Sequence, residues 1–329
     1  MTTIKLITFN LEVDGGKDEG GKPSQRWQAA HELLAARHPD AVFRQEMTHS
    51  RADGRARLHL AEQALGGMRG FLGPVGTKAG EPQHPTGILV RPGVFTVTRE
   101  YALTDWRTPP TNVIATLDGV PDVPIIMVSC HLTPTSPGGR EREADDLARL
   151  VGVGRGGGWI GAGDMNEYPV PDGEEVPPVD WTSPTIRDLP HIQHRTNEGP
   201  DGTRVSCIYV DKKLRGCGLV DPARHAAHVL GQRSALSATA GWAPGAKGQG
   251  GPSRIDRWYI SQQLVPAVRE VNVLDMSGIS DHNAVELVLD RAKAVEGLRR
   301  GRDRPQEPAH AGTGAQPGRR DPSVPLRNL

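Results

Sequence analysis

Cysteine is scarce: the chain of 329 residues has three, Cys130, Cys207 and Cys217. That count and spacing exclude a disulfide framework and a cysteine-based zinc site, and an odd number of thiols fits a reducing compartment. Aromatic residues make up 4% of the sequence, which excludes an extended base-stacking platform. An excess of one charge is missing too. Lys plus Arg number 39, as do Asp plus Glu, so no global field draws the protein to nucleic acid or anionic membranes. Positive charge for a polyanion would have to be local. No apolar run approaches the roughly 20 residues that span a bilayer. The start, "MTTIKLITFNLEV", has neither the basic stretch nor the small-residue cleavage site of a secretory signal. The expectation is a soluble cytoplasmic protein with no membrane association and no evident obligate protein partner.

What the chain has instead is a series of short runs rich in Val and Ile. They include "IKLITFNLEV" (4–13), "DAVFRQE" (40–46), "TGILVRP" (86–92), "VFTVTREYAL" (94–103), "NVIATL" (112–117) and "VPIIMVSCHL" (123–132). "GWIGAGD" (158–164), "VSCIYV" (205–210), "RIDRWYIS" (254–261), "VREVNVLD" (268–275) and "NAVELVLD" (283–290) follow. Their length and β-branched content predict strands, and the short turns between many of them predict largely antiparallel sheets. Two helices stand out. Ser24 is placed to cap "QRWQAAHELLAARH", where Trp27, Ala30 and Leu34 share a face. "GREREADDLARLVGVG" (139–154) turns Leu147, Leu150 and Val151 to one side. Residues 194–252 read as loop-heavy, with eight basic residues (Arg195, Arg204, Lys212, Lys213, Arg215, Arg224, Arg233, Lys247) against four acidic ones (Glu198, Asp201, Asp211, Asp221). Residues 291–329 are rich in Arg, Gly and Pro and read as a disordered tail, leaving 1–290 as the folded domain.

Polar residues stand where these runs end. Asn10 closes the first and Glu46 the second; His131 closes "VSCHL". In "GAGDMNEYP" (161–169), Asp164 and Asn166 are two apart, so an extended backbone sends both to one face. Asp256 lies inside "SRIDRWYIS", and Asp281 and His282 open the last run in "GISDHNAVEL". Taken singly, each fits a turn former, a cap or a solvated rim. Taken together they are compatible groups at successive strand ends.

The ordered series "TFN…QE…HL…GDMN…RID…SDH" resembles the endonuclease/exonuclease/phosphatase superfamily, the deoxyribonuclease I-like fold, from residue 4 to about residue 290. The resemblance implies an α+β fold, a four-layered α/β-sandwich of two mostly antiparallel sheets flanked by helices, with the site at one end. It implies Mg²⁺, with Mn²⁺ as an alternative, held by Glu46, Asp281 and Asn10, a hard oxygen set suited to that ion. Asp164 would orient and deprotonate the attacking water, while Asn166 and Asn10 hold phosphate oxygens. Asp256 would pair with His282, favouring the charged imidazole that faces the phosphorus. His131 would contact the phosphate and protonate the leaving oxygen; relatives of the abasic-site nucleases often carry Tyr there. Two positions depart from the pattern: Arg44 replaces an apolar strand residue and Met165 a Phe. Glu12 is either a second acid near the metal or a solvent-facing loop residue.

Specificity lies in the loops, which a shared fold does not determine. "GLVDPARH" (218–225) followed by "GWAPG…GPSRIDRW" is similar in layout to exonuclease III-like nucleases, with Trp242 near the substrate end. The expected activity is a Mg²⁺-dependent phosphodiester hydrolase, a nuclease on DNA or RNA of low base specificity, with DNA the favoured partner. A phosphatase or phosphodiesterase for a small or lipid-headgroup phosphate ester is the alternative. A non-catalytic binding module on the same scaffold is the third reading.

Overall fold

The computed structural model describes residues 2–76, 84–153, 156–243 and 245–303. Its first strands are β1 (Thr3–Asn10), β2 (Ala41–Gln45), β3 (Arg69–Leu72), β4 (Gly87–Val90), β5 (Phe95–Tyr101), β6 (Thr111–Leu117) and β7 (Val120–His131). Then come β8 (Gly158–Asp164), β9 (Thr196–Glu198), β10 (Arg204–Ser206), β11 (Leu219–Val220), β12 (Asp256–Ser261), β13 (Val268–Leu274) and β14 (Ala284–Asp290). The helices are α1 (Gln25–Ala36), α2 (Ala56–Ala64), α3 (Pro137–Val153), α4 (Leu189–Arg195), α5 (Tyr209–Gly216), α6 (Pro222–His228) and α7 (Arg291–Asp303).

Two six-stranded sheets run in the orders β13-β14-β1-β2-β4-β3 and β11-β12-β8-β7-β6-β5. Each contains one parallel pair near its middle, β1 with β2 and β7 with β8; the other pairings are antiparallel. Because strand side chains alternate, each central strand serves two cores, which is why the runs are apolar almost throughout. Ile4, Leu6 and Phe43 of one sheet meet Ile125, Met127, Ile160 and Trp258 of the other. On the outer face of the first sheet, Ile7, Phe9 and Val42 pack with Trp27 and Leu34 of α1 and Leu58 of α2. On the outer face of the second, Ile126, Val128 and Tyr259 pack with Leu147 and Leu150 of α3 and Leu214 of α5. The result is helix, sheet, sheet, helix: the expected sandwich.

Ser24 caps α1 by accepting from the Trp27 amide, as its position suggests. Two expectations need correction. The run 205–210 is not one strand: β10 ends at Ser206 and α5 begins at Tyr209. Val210 and Leu214, one helical turn apart, bury together against α3, and Leu214 lies beyond the run that suggested a strand. The fold also continues past residue 290. α7 follows β14 directly and buries Ala294 and Leu298 in the inter-sheet core. Polar composition averaged over 291–329 conceals that pair; residues 304–329 lie outside the described residues. No helix among the described residues is long and apolar enough to cross a membrane.

Candidate active site

Strand parity decides which polar residues converge. Along β1, Ile4 and Leu6 face the other sheet, so Asn10 does as well; the same alternation turns His131, Asp164 and Asp256 inward. Register then aligns the second sheet's contribution. His131 lies opposite Asp164 across β7 and β8, and Asp256 opposite Asp164 across β12 and β8. Gly163 permits this close approach, because a Cβ there would sit 1.8 Å from the Cys130 carbonyl oxygen. Glu46 comes just after β2, with parity that would aim it outward. Its φ of +56° ends the strand and turns it back.

Asn10 bridges the two sheets. Its Nδ2 lies 3.3 Å from Glu46 Oε1 and 3.3 Å from Asp164 Oδ2, while its Oδ1 is buried without a partner among the described residues. The Val13 amide donates to Glu46 Oε2 at 2.8 Å. Ser280 donates its hydroxyl to the Asn10 carbonyl at 2.8 Å, drawing the loop that carries Asp281 and His282 to the end of β1. His282 Nδ1 is 2.8 Å from Asp256 Oδ2, and its Nε2 faces Asp164 Oδ2 at 3.8 Å. His131 Nε2 approaches the same Asp164 oxygen at 3.6 Å. Asn166, at φ +49°, donates its backbone N–H to Asp164 Oδ1 and its Nδ2 to the Leu132 carbonyl. All these sequence-derived site residues therefore meet at one end of the sandwich. Trp242 does not join them: it is half-exposed and lines a separate hollow with Ser237, Asn272 and Asp275.

The motif order on these strand ends agrees with one profile, that of the Endonuclease/Exonuclease/phosphatase family, which matches residues 7–282. The chain belongs to that family. Comparison with curated proteins gives no match. Solved structures with the same fold include Danio rerio TDP2 complexed with single-strand DNA product, at 14% identity and TM-score 0.56, covering 88% of this chain and 99% of that one. A family protein from Bacteroides vulgatus gives 15% identity and TM-score 0.56 over 88% and 99% of the two chains. Another from Bacteroides thetaiotaomicron gives 16% and 0.54 over 88% and 97%.

The electrostatics of this family member divide its site into two halves. Burial disfavours charge on His282, but the Asp256 carboxylate, with Asp164 and Asp281, pushes its pKa up to about 10. Burial likewise works against the Asp164 carboxylate, yet His282, His131 and Arg195 hold it below the usual range. In the other half, burial raises Asp281; His282 pulls it down, and the like charges of Glu12 and Glu46 push it up. Glu12 is itself paired with Arg26 at 2.6 Å. Donor atoms of Asp164, Asp256 and His282 lie within 4.8 Å of one another, a grouping that can hold a metal ion. A charged imidazole, however, donates from both nitrogens and keeps no lone pair for a cation. The orphaned Asn10 Oδ1 and the carboxylates of Glu46 and Asp281 supply oxygen ligands, which fit a hard divalent ion better.

Three residues with no motif signal also belong here. Thr239 Oγ1 accepts from the Ile255 and Asp256 amides, and its carbonyl from the Asn283 amide, pinning Asp256 and His282 together. His84, hydrogen-bonded to Thr48, is close enough to feel the charges of Glu46 and His131. Arg195, counted in the sequence only among loop cations, donates from Nη2 to Asn166 Oδ1 at 2.6 Å.

Proposed function

We propose that this protein is a divalent-metal-dependent phosphodiester hydrolase acting on nucleic acid, most simply a nuclease on DNA or RNA with little base specificity. The observation that carries the reading is the meeting of Asn10, Glu46 and Asp164 with the Asp256–His282 pair where two sheets open. The family assignment supports phosphoester chemistry, and the fold shared with a TDP2 bound to single-strand DNA product supports a nucleic acid substrate.

In this reading Asn10, Glu46 and Asp281 hold Mg²⁺ or Mn²⁺. A bound ion of that kind polarises phosphoryl oxygens and neutralises charge on them. Asp164, kept ionised, orients the attacking water and receives its proton. His282, kept protonated and aligned by Asp256, offers Nε2–H to the charge that builds on the phosphoryl oxygens. His131 protonates the leaving oxygen, and the second N–H of Asn166 Nδ2 holds a phosphate oxygen.

Purified protein is expected to cleave plasmid, single-stranded DNA or RNA with Mg²⁺ and to stop when EDTA is added; inertness toward all three would overturn the reading. The formal net charge of zero favours, as a second reading, a small phosphate ester. Turnover of phosphorylated metabolites without nucleic acid cleavage would select it.

A further inference from the structure

Beside His282 lies a cavity of about 290 Å³ lined by Tyr168, His191, Arg195, Asp281, Gly241 and Gly251. Arg195 ends α4, and its hydrogen-bonding capacity is under-used. Its Nη2 donates to a neutral amide, Asn166 Oδ1; its Nη1 is buried with no hydrogen-bond partner, and it forms no ion pair among the described residues. Neighbouring buried arginines are spent differently. Arg140 has Glu167 and the Thr133 and His194 carbonyls; Arg254 has Glu174 and Asp221. The Asp164 carboxylate is near enough for the two charges to steady each other, but it is not in contact with the guanidinium, whose donors form a fork that matches phosphate oxygens.

We propose that Arg195 is a catalytic residue that touches substrate: with His282 it forms an anion subsite for a non-bridging oxygen of the scissile phosphate. The proposal rests on the phosphoester-hydrolase reading above and adds to it a cation from outside the motif series. Asn166 has two tasks in this arrangement. Its side-chain Oδ1 fixes one arm of the fork, and its backbone N–H fixes Asp164, so base and cation are set by one residue. The guanidinium lines the cavity together with His282, and that is where it would meet the phosphoryl group.

The test uses the full chain with Mg²⁺ and bis-p-nitrophenyl phosphate, and inorganic phosphate with EDTA. Arg195→Gln should lower kcat/KM by roughly a hundredfold, the usual cost of one transition-state donor, with thermal unfolding unchanged. Guanidinium ion should restore part of the rate. Arg195→Lys, which keeps charge and loses the fork, should fall between the two and covers the case in which Arg195→Gln folds poorly. Phosphate should raise the melting temperature of the wild type and not of Arg195→Gln, and this difference should persist in an Asn166→Ala background. If it vanishes there, Arg195 acts only by holding Asn166 and the proposal fails. An active wild type whose Arg195→Gln form is equally active also overturns it and leaves the hydrolase reading intact. A wild type inert toward every phosphoester overturns the hydrolase reading itself, and phosphate binding then judges the subsite alone.

Discussion

Arg44 stands in the middle of an apolar strand, yet it is fully buried, and its partners explain why. It pairs with Asp14 at 3.2 Å, and its Nη1 meets His31 Nε2 at 3.1 Å. His31 Nδ1 donates to the Trp27 carbonyl, so Nε2 must be the bare acceptor and the ring neutral. Burial, with Arg44 beside it, lowers His31 to about 3 from an ordinary 6.5. The unfolded chain therefore takes up a proton that the folded one refuses. The stability this neutral ring contributes is complete above pH 6.5 and is lost as pH falls from there toward 3. Between about pH 6 and 4 the wild type should lose up to about 1.4 kcal/mol per pH unit more than His31→Gln, measured by urea unfolding. Equal slopes would mean that the ring titrates in the fold. The network matters to the site because Asp14 belongs to the Glu12–Gly15 turn, and Val13 of that turn holds Glu46. At Asp164, replacement by Asn should cost at least about a hundredfold in kcat while leaving unfolding unaltered, the scale of a lost general base. Glu46→Gln should raise the Mg²⁺ concentration for half-maximal rate by about tenfold or more, since ligand charge sets such affinities; an unmoved midpoint would remove Glu46 from the metal set. Side chains that end strands were legible from the sequence because their chemistry matched their place. Arg195 and Thr239 were not, because what they do is defined by partners far along the chain, Asn166 for one and Asp256 and Asn283 for the other.

At the scale of elements, the length and β-branched content of short apolar runs were the readable signal. β1, β7, β8 and β12 were foreseen from runs that are largely apolar on both faces, and two-sided burial accounts for that continuity. The stretch after Ser206 was misread because Val205 to Val210 is too short for its period to show; only Leu214 discloses the helix. Parity and register then do the work of assembly, since one residue of slip between β7 and β8 would move His131 away from Asp164. Gly163 is where this can be tested. Alanine there would drive its Cβ into the Cys130 carbonyl, at a φ of +152° that L side chains rarely adopt. Gly163→Ala should destabilise the protein by at least about 1 to 3 kcal/mol and depress activity more than stability alone explains, because the next residue is Asp164. An active variant of wild-type melting temperature would show that β7 and β8 are not locked at that point.

For the molecule as a whole, three stacked cores keep the two sheets in fixed relation, and the site is the edge at which the middle core ends. That core is closed from the side by the segment whose composition reads as unstructured. Ala294 and Leu298 of α7 enter it, and Leu298 approaches Gly158 at the start of β8, the strand that ends in Asp164. Two chain lengths separate a packed helix from a dispensable extension. A chain ending at Asp303 and one ending at Asp290 differ by α7 alone. If α7 were solvated, their urea midpoints would coincide. With Leu298 fully buried, truncation to alanine should cost about 2 to 5 kcal/mol, and the shorter chain should lose at least as much. Because Leu298 touches the far end of β8 from Asp164, the loss should appear in stability first, with kcat of the remaining folded molecules near that of the wild type. A large fall in kcat without a fall in stability would mean that α7 reaches the site by a route other than the shared core.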